Sequence, residues 1–363
     1  MKPLRVVTTL LAVSACAVSS VALAIEPIPE TPGWRGFAVL GAGYTDINSN
    51  LVAGNSVIDL GSPIIDSVNQ GPQSDDTLHP VITGEINYTF GNRWQAFLGT
   101  SLDDAVTLDG VTQLGVRKDL GAAGVLQGGV VFSGMPTVVW EDPYAEGVRR
   151  EETDRDSTGL RLQWDRILGS ATEFTVTYRD VSIDTERSGL GVTSVACDRS
   201  CQDLVLRDGD QFFFDASCLF RLGEGRRHLL RPMVRYTVDN RDGDAISGDA
   251  YWFQLSYVFL GQGYTVASNV AVGSASHDAR NPIFGVKTDS DRLAVDTTLF
   301  YRLPTESGRG QAMGSVLWGE DDSEVAFHDN ELFRISIGAM YRFGSRGQHT
   351  SASRGRAITS WDR

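Results

Sequence analysis

The segment ELFRISIGAMYRF, from Glu331 to Phe343, decides the fold class of this chain. Its alternate positions are apolar, and side chains in a β-strand alternate between the two faces of the strand. Strands of soluble proteins average about five or six residues. This segment runs for thirteen residues, a length suited to crossing a bilayer at a tilt, and therefore indicates a transmembrane strand. The apolar face consists of Phe333, Ile335, Ile337, Ala339, Tyr341 and Phe343.

The same alternation recurs along the chain. Trp34, Leu40 and Tyr44 lie on the apolar face of a first strand, and Ile82 and Phe90 lie on that of a second. With the opening segment, the candidates number about fourteen, each close to the length of a transmembrane strand. The others lie near 94–102, 107–118, 124–134, 157–168, 172–184, 209–222, 228–239, 249–260, 262–273, 291–303 and 310–320.

The links between these segments fall into two classes. Short links that carry glycine, such as Gly91-Asn92 and Gly169-Ser170, suit hairpin turns. Long polar links, such as 46–79 and 185–208, alternate with them. In hydrocarbon every backbone polar group needs a partner, and only closure of the sheet removes its unpaired edges. The sequence predicts an all-β fold: a single transmembrane antiparallel up-and-down β-barrel of about 14 strands (about 12–16), with short periplasmic turns and long extracellular loops.

Residues 1–24 are predicted to be a secretory signal peptide. Two basic residues precede an apolar run, and Ala22-Leu23-Ala24 has the small-x-small form of a cleavage site. Lipoprotein processing is an alternative, because Val13-Ser14-Ala15-Cys16 resembles the box at which it occurs. We expect the barrel to occupy residues 25–343, and residues 344–363 to form a disordered C-terminal tail.

The net charge of the chain and its predicted export indicate which partners it meets. The net charge of -14 argues against a nucleic-acid partner, which requires a basic surface. We expect the chain to reside in the cell outer membrane, in contact with lipid and lipopolysaccharide, after insertion by the barrel-assembly machinery. Tyr341 and Phe343, at the end of the last strand, are predicted to form the assembly signal. Small solutes are the remaining expected partners, and the sequence indicates no oligomeric state.

Few residues of the sequence suggest a disulfide, a metal site or a catalytic site. Cys197 and Cys201 are predicted to form a disulfide, since an exported chain meets an oxidising compartment; a metal site is the weaker alternative. The closest approach to a catalytic cluster is His277, between Ser276 and Asp278. The acidic stretch 239–244 lacks the spacing of a calcium loop. The sequence therefore predicts no enzymatic activity, no cofactor and no metal site.

The polar faces of the strands predict the lining of the lumen. Arginines outnumber acids on these faces, which suggests two roles: bracing of the wall by cross-strand pairs, which we favour, or guidance of anions. The predicted lining residues are Glu85, Asp109, Arg117, Arg161, Asp165, Arg179, Asp215, Arg231, Arg235, Asp296, Arg302, Arg334 and Arg342.

Three stretches carry a family resemblance: SNLVAGN (Ser49 to Asn55), LDGVTQLGVRK (Leu108 to Lys118) and SGMPTVVWEDPYAEGVRREETDRDSTGLRLQWDRILGS (Ser133 to Ser170). They resemble a family of uncharacterised proteins of Gram-negative bacteria that is classified only as a domain of unknown function and regarded as outer-membrane barrels. The resemblance implies location and fold, but no reaction, substrate or site. The residues after Phe343 depart from the expected family pattern.

The barrel size favours one function over two others. Eight strands are filled by their own side chains, whereas 16–18 strands leave a water channel, so about fourteen should leave a cavity. The segment 46–79 is expected to narrow that cavity or to form an external hairpin. The first hypothesis is a porin-like channel for passive uptake of small solutes. The alternatives are a structural or surface-interaction barrel with a plugged lumen and, third, an outer-membrane hydrolase.

Overall fold

The chain folds into a closed antiparallel β-barrel of 14 strands. A computed structural model describes residues 28–55, 58–100, 111–133, 137–223, 225–305 and 308–344. The predicted signal peptide, the tail after Gly344 and the predicted lining residue Asp109 lie outside the described residues. No helix among the described residues is long and apolar enough to cross a membrane.

Each barrel strand pairs with its neighbours in the chain, and the first pairs with the last. Three short strands lie in the links: β2 (Val52–Asn55), β3 (Ile58–Asp59) and β8 (Thr137–Trp140). The barrel strands are β1 (Gly33–Asn48), β4 (Ser74–Thr89), β5 (Trp94–Gly99), β6 (Val111–Asp119), β7 (Val125–Ser133), β9 (Glu152–Asp165), β10 (Thr172–Ile183), β11 (Gly209–Cys218) with its continuation β12 (Phe220–Leu222), β13 (His228–Arg241), β14 (Gly248–Leu260), β15 (Tyr264–His277), β16 (Ser290–Arg302), β17 (Gly310–Ser323) and β18 (Asn330–Gly344).

The pairing of β1 with β18 closes the sheet. It runs without interruption from Arg35 opposite Gly344 to Asn48 opposite Glu331. Links such as 90–93 and 261–263 are short and lie at one end, and links such as 49–73 and 184–208 are long and lie at the other. The predicted fold class, strand number and alternation of links are confirmed.

Some predicted boundaries shift. The segment predicted at 94–102 ends as a strand at Gly99, and the one predicted at 209–222 is interrupted between Cys218 and Phe220. At Gly99 the backbone φ is 132°, and a Cβ atom would lie 2.1 Å from the carbonyl oxygen of Gly84. A glycine is therefore required where β5 leaves β4.

The outer surface of the barrel is apolar. Leu40, Ile82 and Ile337 point outward and are among its most exposed large side chains. Aromatic rings cluster near the short-turn end, where Trp34 and Tyr88 have centroids 5.0 Å apart. A second aromatic group lies towards the long-loop end: Tyr178 contacts Phe212, and Tyr236 contacts Tyr251. An apolar band between two aromatic girdles is the surface that a bilayer requires.

Outside the barrel wall, the main apolar core lies among the long loops. Its buried members come from six links and include Ile65, Tyr144, Val205 and Phe327. The β1–β4 and β10–β11 links start six strand positions apart in a barrel of 14, so their contact crosses the mouth of the barrel. We call this loop assembly, with its core at the residues of that cluster, the cap.

The apolar exterior generates a prediction at Leu160, near the middle of β9 and 62% exposed. Arginine there should lower the free energy of unfolding by about 2–4 kcal/mol, because the outward face contacts hydrocarbon. Leu190, 59% exposed but in a loop, is the matched control. Leu190→Arg should change stability by no more than about 0.5 kcal/mol. Urea unfolding in liposomes measures both, and equal effects would contradict a membrane-facing β9.

Candidate functional site

The barrel interior holds a cavity of about 1280 Å³. It extends from the underside of the cap, at Leu51 and Val52, down the inner face of β1 and β16–β18. The two sides of the interior differ in chemistry: one is a network of ionic and amide side chains and the other is mainly apolar. The strand residues that line the cavity include Phe37, Val39, His79, Val81, Asp296, Phe300, Met313, Leu317, Arg334 and Ser336.

The polar side is centred on Arg117 of β6. Its guanidinium donates to both carboxylate oxygens of Glu85, with an Nη2–Oε2 distance of 2.6 Å, and both side chains are 7% exposed. It also donates to Gln95 and Gln127 and lies 3.8 Å from the centre of the Phe97 ring. This geometry gives the charge a bidentate partner and additional hydrogen bonds, as a buried pair needs.

Two further ion pairs brace the wall, and of their four members only Glu173 is not a predicted lining residue. Arg231 donates to Glu173 at 2.7 Å and to Ser217 at 3.0 Å. Arg235 donates to both oxygens of Asp215, at 2.6 and 3.0 Å. The paired residues lie on inner positions of β10, β11 and β13, so each bond crosses between strands.

The remaining predicted lining residues have varied surroundings. Arg161 donates to Thr177 at 3.1 Å, and Arg179 stacks 4.8 Å from the Phe213 ring centre. Asp165 is buried and forms an ion pair with Arg166 at 3.3 Å. Asp296 accepts a hydrogen bond from Asn269, Arg342 lies half-buried on β18, and Arg302 is exposed at the short-turn end of β16.

The apolar side contains a cluster inside the barrel. Val39, Phe300 and Met340 are buried there, and Phe37 and Met313 pack against them. These residues lie on β1, β16, β17 and β18, and the cluster borders the Arg117 network at β1, where Phe37 pairs in register with Glu85 of β4. Their presence produces an apolar wall in a lumen that a simple alternation rule predicts to be polar.

A short hydrogen-bonded chain lies above the apolar cluster. Arg334 donates from Nε to Oγ1 of Thr45 at 3.2 Å, and that hydroxyl is 2.9 Å from Nε2 of His79. His79 Nδ1 is 3.2 Å from the carbonyl oxygen of Pro80, an arrangement that fits a proton on Nδ1. A Cβ atom at Gly43 would lie 2.6 Å from the imidazole Cε1, so glycine leaves room for the ring.

The cap is held by a buried carboxylate that sequence reasoning missed. Glu146 accepts hydrogen bonds from the backbone N–H groups of Val68, Thr193 and Ser194 and from two hydroxyls, at 2.7–2.9 Å. Desolvation raises the pKa of Glu146, but these hydrogen bonds outweigh it and lower the pKa to about 2. One side chain thus joins three loops.

Arg150 plays a similar role with its positive charge. It donates to the carbonyl oxygens of Asn50 at 2.7 Å, of Pro143 at 3.0 Å and of Ser62, and it lies 4.3 Å from the Trp140 ring centre. Desolvation lowers the pKa of Arg150 to about 10. The side chain therefore stays charged at neutral pH and ties the β1–β4 link to the β8–β9 link.

The centre of the cap is aromatic and uncharged. Tyr144 contacts Phe284, Phe327 and His328, and its hydroxyl is 3.4 Å from Asn281. Burial raises the pKa of Tyr144 to about 12 and lowers that of His328 to about 3. Both side chains are consequently neutral at physiological pH, as suits an apolar core.

The predicted disulfide lies in the cap, and the predicted assembly signal lies on β18. A disulfide joins Cys197 to Cys201, and Cys201 is part of the core of the cap. Tyr341 and Phe343 point outward on β18, where the Phe343 ring lies over Gly36. Near the short-turn end, Ile28 is buried against Val125, an inward-facing residue of β7.

The imidazole of His277, the residue closest to a catalytic cluster in the sequence, has two polar neighbours at Nδ1. His277 Nδ1 is 3.3 Å from the Thr288 hydroxyl and 3.7 Å from a carboxylate oxygen of Asp289, at the rim of the barrel. Within the described ranges no group of three or more His, Cys, Asp or Glu side chains could hold a metal ion.

The family assignment follows from residues 33–342, which cover the barrel except for the last two residues of β18. The sequence profile of a family described as "Protein of unknown function (DUF2860)" matches these residues. The chain belongs to this family. The predicted family resemblance is confirmed. No curated protein matches this family member.

Solved outer-membrane proteins are similar to this DUF2860 barrel at a distance. OmpT of Vibrio cholerae, folded in vitro, is 9% identical, with a TM-score of 0.37 over 85% of this chain and 98% of that one. An outer-membrane channel of Pseudomonas putida F1 is 11% identical, with a TM-score of 0.40 over 88% and 100%. The channel DcaP of Acinetobacter baumannii is 11% identical, with a TM-score of 0.39 over 86% and 98%. None of these similarities identifies a solute.

The Arg117–Glu85 pair yields a stability prediction. Arg117→Met or Glu85→Leu alone should lower the free energy of unfolding by about 3–5 kcal/mol, because each leaves a buried charge without its partner. The double variant should be more stable than the sum of the two losses implies. Arg292 and Asp321, each 27% exposed and 2.9 Å apart, form the control pair, with a coupling below about 1 kcal/mol. Additive losses at Arg117 and Glu85 in urea unfolding would contradict the bracing role.

The cap yields a pH prediction. The pKa of Glu146 is lowered from 4.5 to about 2, so its stabilisation of the cap is complete above pH 4.5 and is lost as the pH falls towards 2. Hydrogen-exchange protection of the Val68, Thr193 and Ser194 amides should decline over that window. At neutral pH, Glu146→Gln should reduce protection about tenfold or more, whereas the exposed Glu151→Gln should not. If protection of these amides were unchanged in Glu146→Gln, the claim that Glu146 joins the three loops would be wrong.

Proposed function

We propose that the protein is an outer-membrane channel through which small solutes diffuse passively. The observation that carries the proposal is the cavity of about 1280 Å³ enclosed by inward-facing strand residues. A barrel of eight strands fills its own interior, and this barrel of 14 strands does not. Inward-facing residues of β1, β4 and β16–β18 line the cavity, so a solute inside it lies within the barrel.

The outer membrane is the location that the exterior supports. An even number of antiparallel strands, short links at one end, long links at the other and an apolar band with aromatic girdles are the features of bacterial outer-membrane barrels. The short links then face the periplasm and the cap faces the exterior. Lipid and lipopolysaccharide contact the outer face, and the barrel-assembly machinery inserts the chain.

The cap sets the character of the channel. Loops from six links meet over the mouth, so a solute enters only when the cap moves or through gaps beside it. Within the lumen, Arg117, Arg231 and Arg235 each face a carboxylate. That matching supports wall bracing as the main role of these arginines, and it supports weak rather than strong ion selectivity.

A barrel with a plugged lumen and an interacting outer surface is the second candidate. The observation that favours it is the same cap: a core of buried apolar side chains stiffens the loops and presents them as one surface. A stiff, closed cap would suit binding of a partner better than passage of a solute. The two candidates therefore differ in whether the cap ever opens.

Planar-bilayer recordings on the full-length protein separate them. Wild-type protein should give small, intermittent conductance steps, and Glu146→Gln should increase the open time because it removes a joint of the cap. Glu151→Gln, close in sequence but exposed, should match the wild type. Absence of current from both the wild type and Glu146→Gln, in any salt, would overturn the channel and favour the plugged barrel.

A further inference from the structure

Arg334 differs from the ion-paired arginines of the lumen. Arg117, Arg231 and Arg235 each have a carboxylate partner, and Arg292 pairs with Asp321 at 2.9 Å. Arg334 is half-buried, lines the cavity and has no carboxylate within ion-pairing distance among the described residues. A buried charge without a counter-charge is costly, so an unmatched guanidinium facing a cavity suggests an anionic ligand.

The nearest acid across the sheet is turned away from Arg334. Asp296 lies two strands from it, with the inward side chain of Leu317 between them in register. The Oδ1 atom of Asp296 accepts a hydrogen bond from Asn269 at 2.9 Å, on its other side. Asp296 is thus held by the polar side chain of Asn269 on β15, although its charge still acts on the cavity.

The orientation of Arg334 suits a bidentate ligand. Its Nε atom is held by the Thr45 hydroxyl, which is in turn held by His79. Neither Nη atom makes a hydrogen bond to another described residue. A guanidinium fixed at Nε and open at both Nη atoms presents two parallel donors, the fork that matches a carboxylate.

The cavity leads from polar side chains near Arg334, among them Ser315 and Ser336, to an apolar cluster. Along β18, Met340 lies six positions beyond Arg334, or about 20 Å at the rise of a β-strand. Met340 belongs to the cluster with Val39 and Phe300. A ligand whose charged end lies at Arg334 therefore meets the apolar wall with the far part of its length, beyond Ser315 and Ser336.

We propose that this cavity binds an amphipathic organic anion, with a carboxylate on Arg334 and a hydrocarbon chain directed towards the lining residues Val39, Phe300 and Met313 of the apolar cluster. The inference rests on the proposed channel, because it names the class of solute that the channel carries. The physical basis is separate for the two ends: paired N–H donors recognise the head group, and burial of the chain removes its apolar surface from water.

Equilibrium dialysis of radiolabelled decanoate against the full-length protein in nanodiscs tests the site, with empty nanodiscs as the blank. Wild-type protein should bind decanoate saturably. Arg334→Gln should weaken binding about ten- to hundredfold, the loss expected for a charged hydrogen-bonding partner. Binding of decanol should be the same in the two proteins. Arg334→Lys, which keeps the charge without the fork, should give an intermediate affinity for decanoate.

Matched variants separate a specific site from general electrostatics. Arg302→Gln removes another inward arginine, exposed at the short-turn end, and should leave decanoate binding unchanged. Asp296→Asn should strengthen binding, since it removes a negative charge from the cavity. Phe300→Ala should weaken decanoate and decanol alike, whereas acetate should bind poorly to every variant. Heat-modifiable gel mobility verifies that each barrel is folded.

The outcomes distinguish the site from the channel. No saturable binding of decanoate, or equal binding by wild type and Arg334→Gln, overturns the site whatever the conductance. Saturable, Arg334-dependent binding supports the site. If such binding occurs in a protein that gives no current and no decanoate flux into liposomes, the channel proposal fails and the binding site stands.

Discussion

The pairing of β1 with β18 is the interaction on which the rest of the structure depends. A transmembrane sheet cannot leave backbone N–H and C=O groups facing hydrocarbon, so the last strand must return to the first. Arg35 to Asn48 meet Gly344 to Glu331 without a break, and this closure gives every strand residue a defined inside or outside position. Once inside and outside are defined, the alternation of side chains determines both the membrane surface and the lining of the lumen.

Closure with 14 strands leaves a lumen that its side chains only partly fill. The side chains buried in one part of that lumen are charged and paired, and those in the other part are apolar. Around Arg117 the charges are matched, and amide side chains complete the hydrogen bonds. Around Phe300 the wall is apolar and needs no partners. The cavity lies mainly against the second wall.

The fold was predictable from sequence because alternation is a local signal that each strand carries by itself. It placed Arg117 and Glu85 inside, but the contact between them depends on the register of β4, β5 and β6, which alternation does not encode. The cap was not predictable, since its loops have no period. Glu146 stands in a charged stretch, EDPYAEGVRREE, where a solvent-exposed side chain is the natural expectation; only the meeting of three loops reveals its role.

The contrast between Arg117 and Arg334 bears on what the lumen is for. If the interior served only to hold the wall together, its cations would be expected to be matched, as Arg117 is by Glu85. Arg334 is instead held at one nitrogen by Thr45, and no carboxylate among the described residues lies within ion-pairing distance of it. Local arrangements that cost stability are retained where function needs them. A plug would gain nothing from such a residue, whereas a cavity that receives an anionic ligand would.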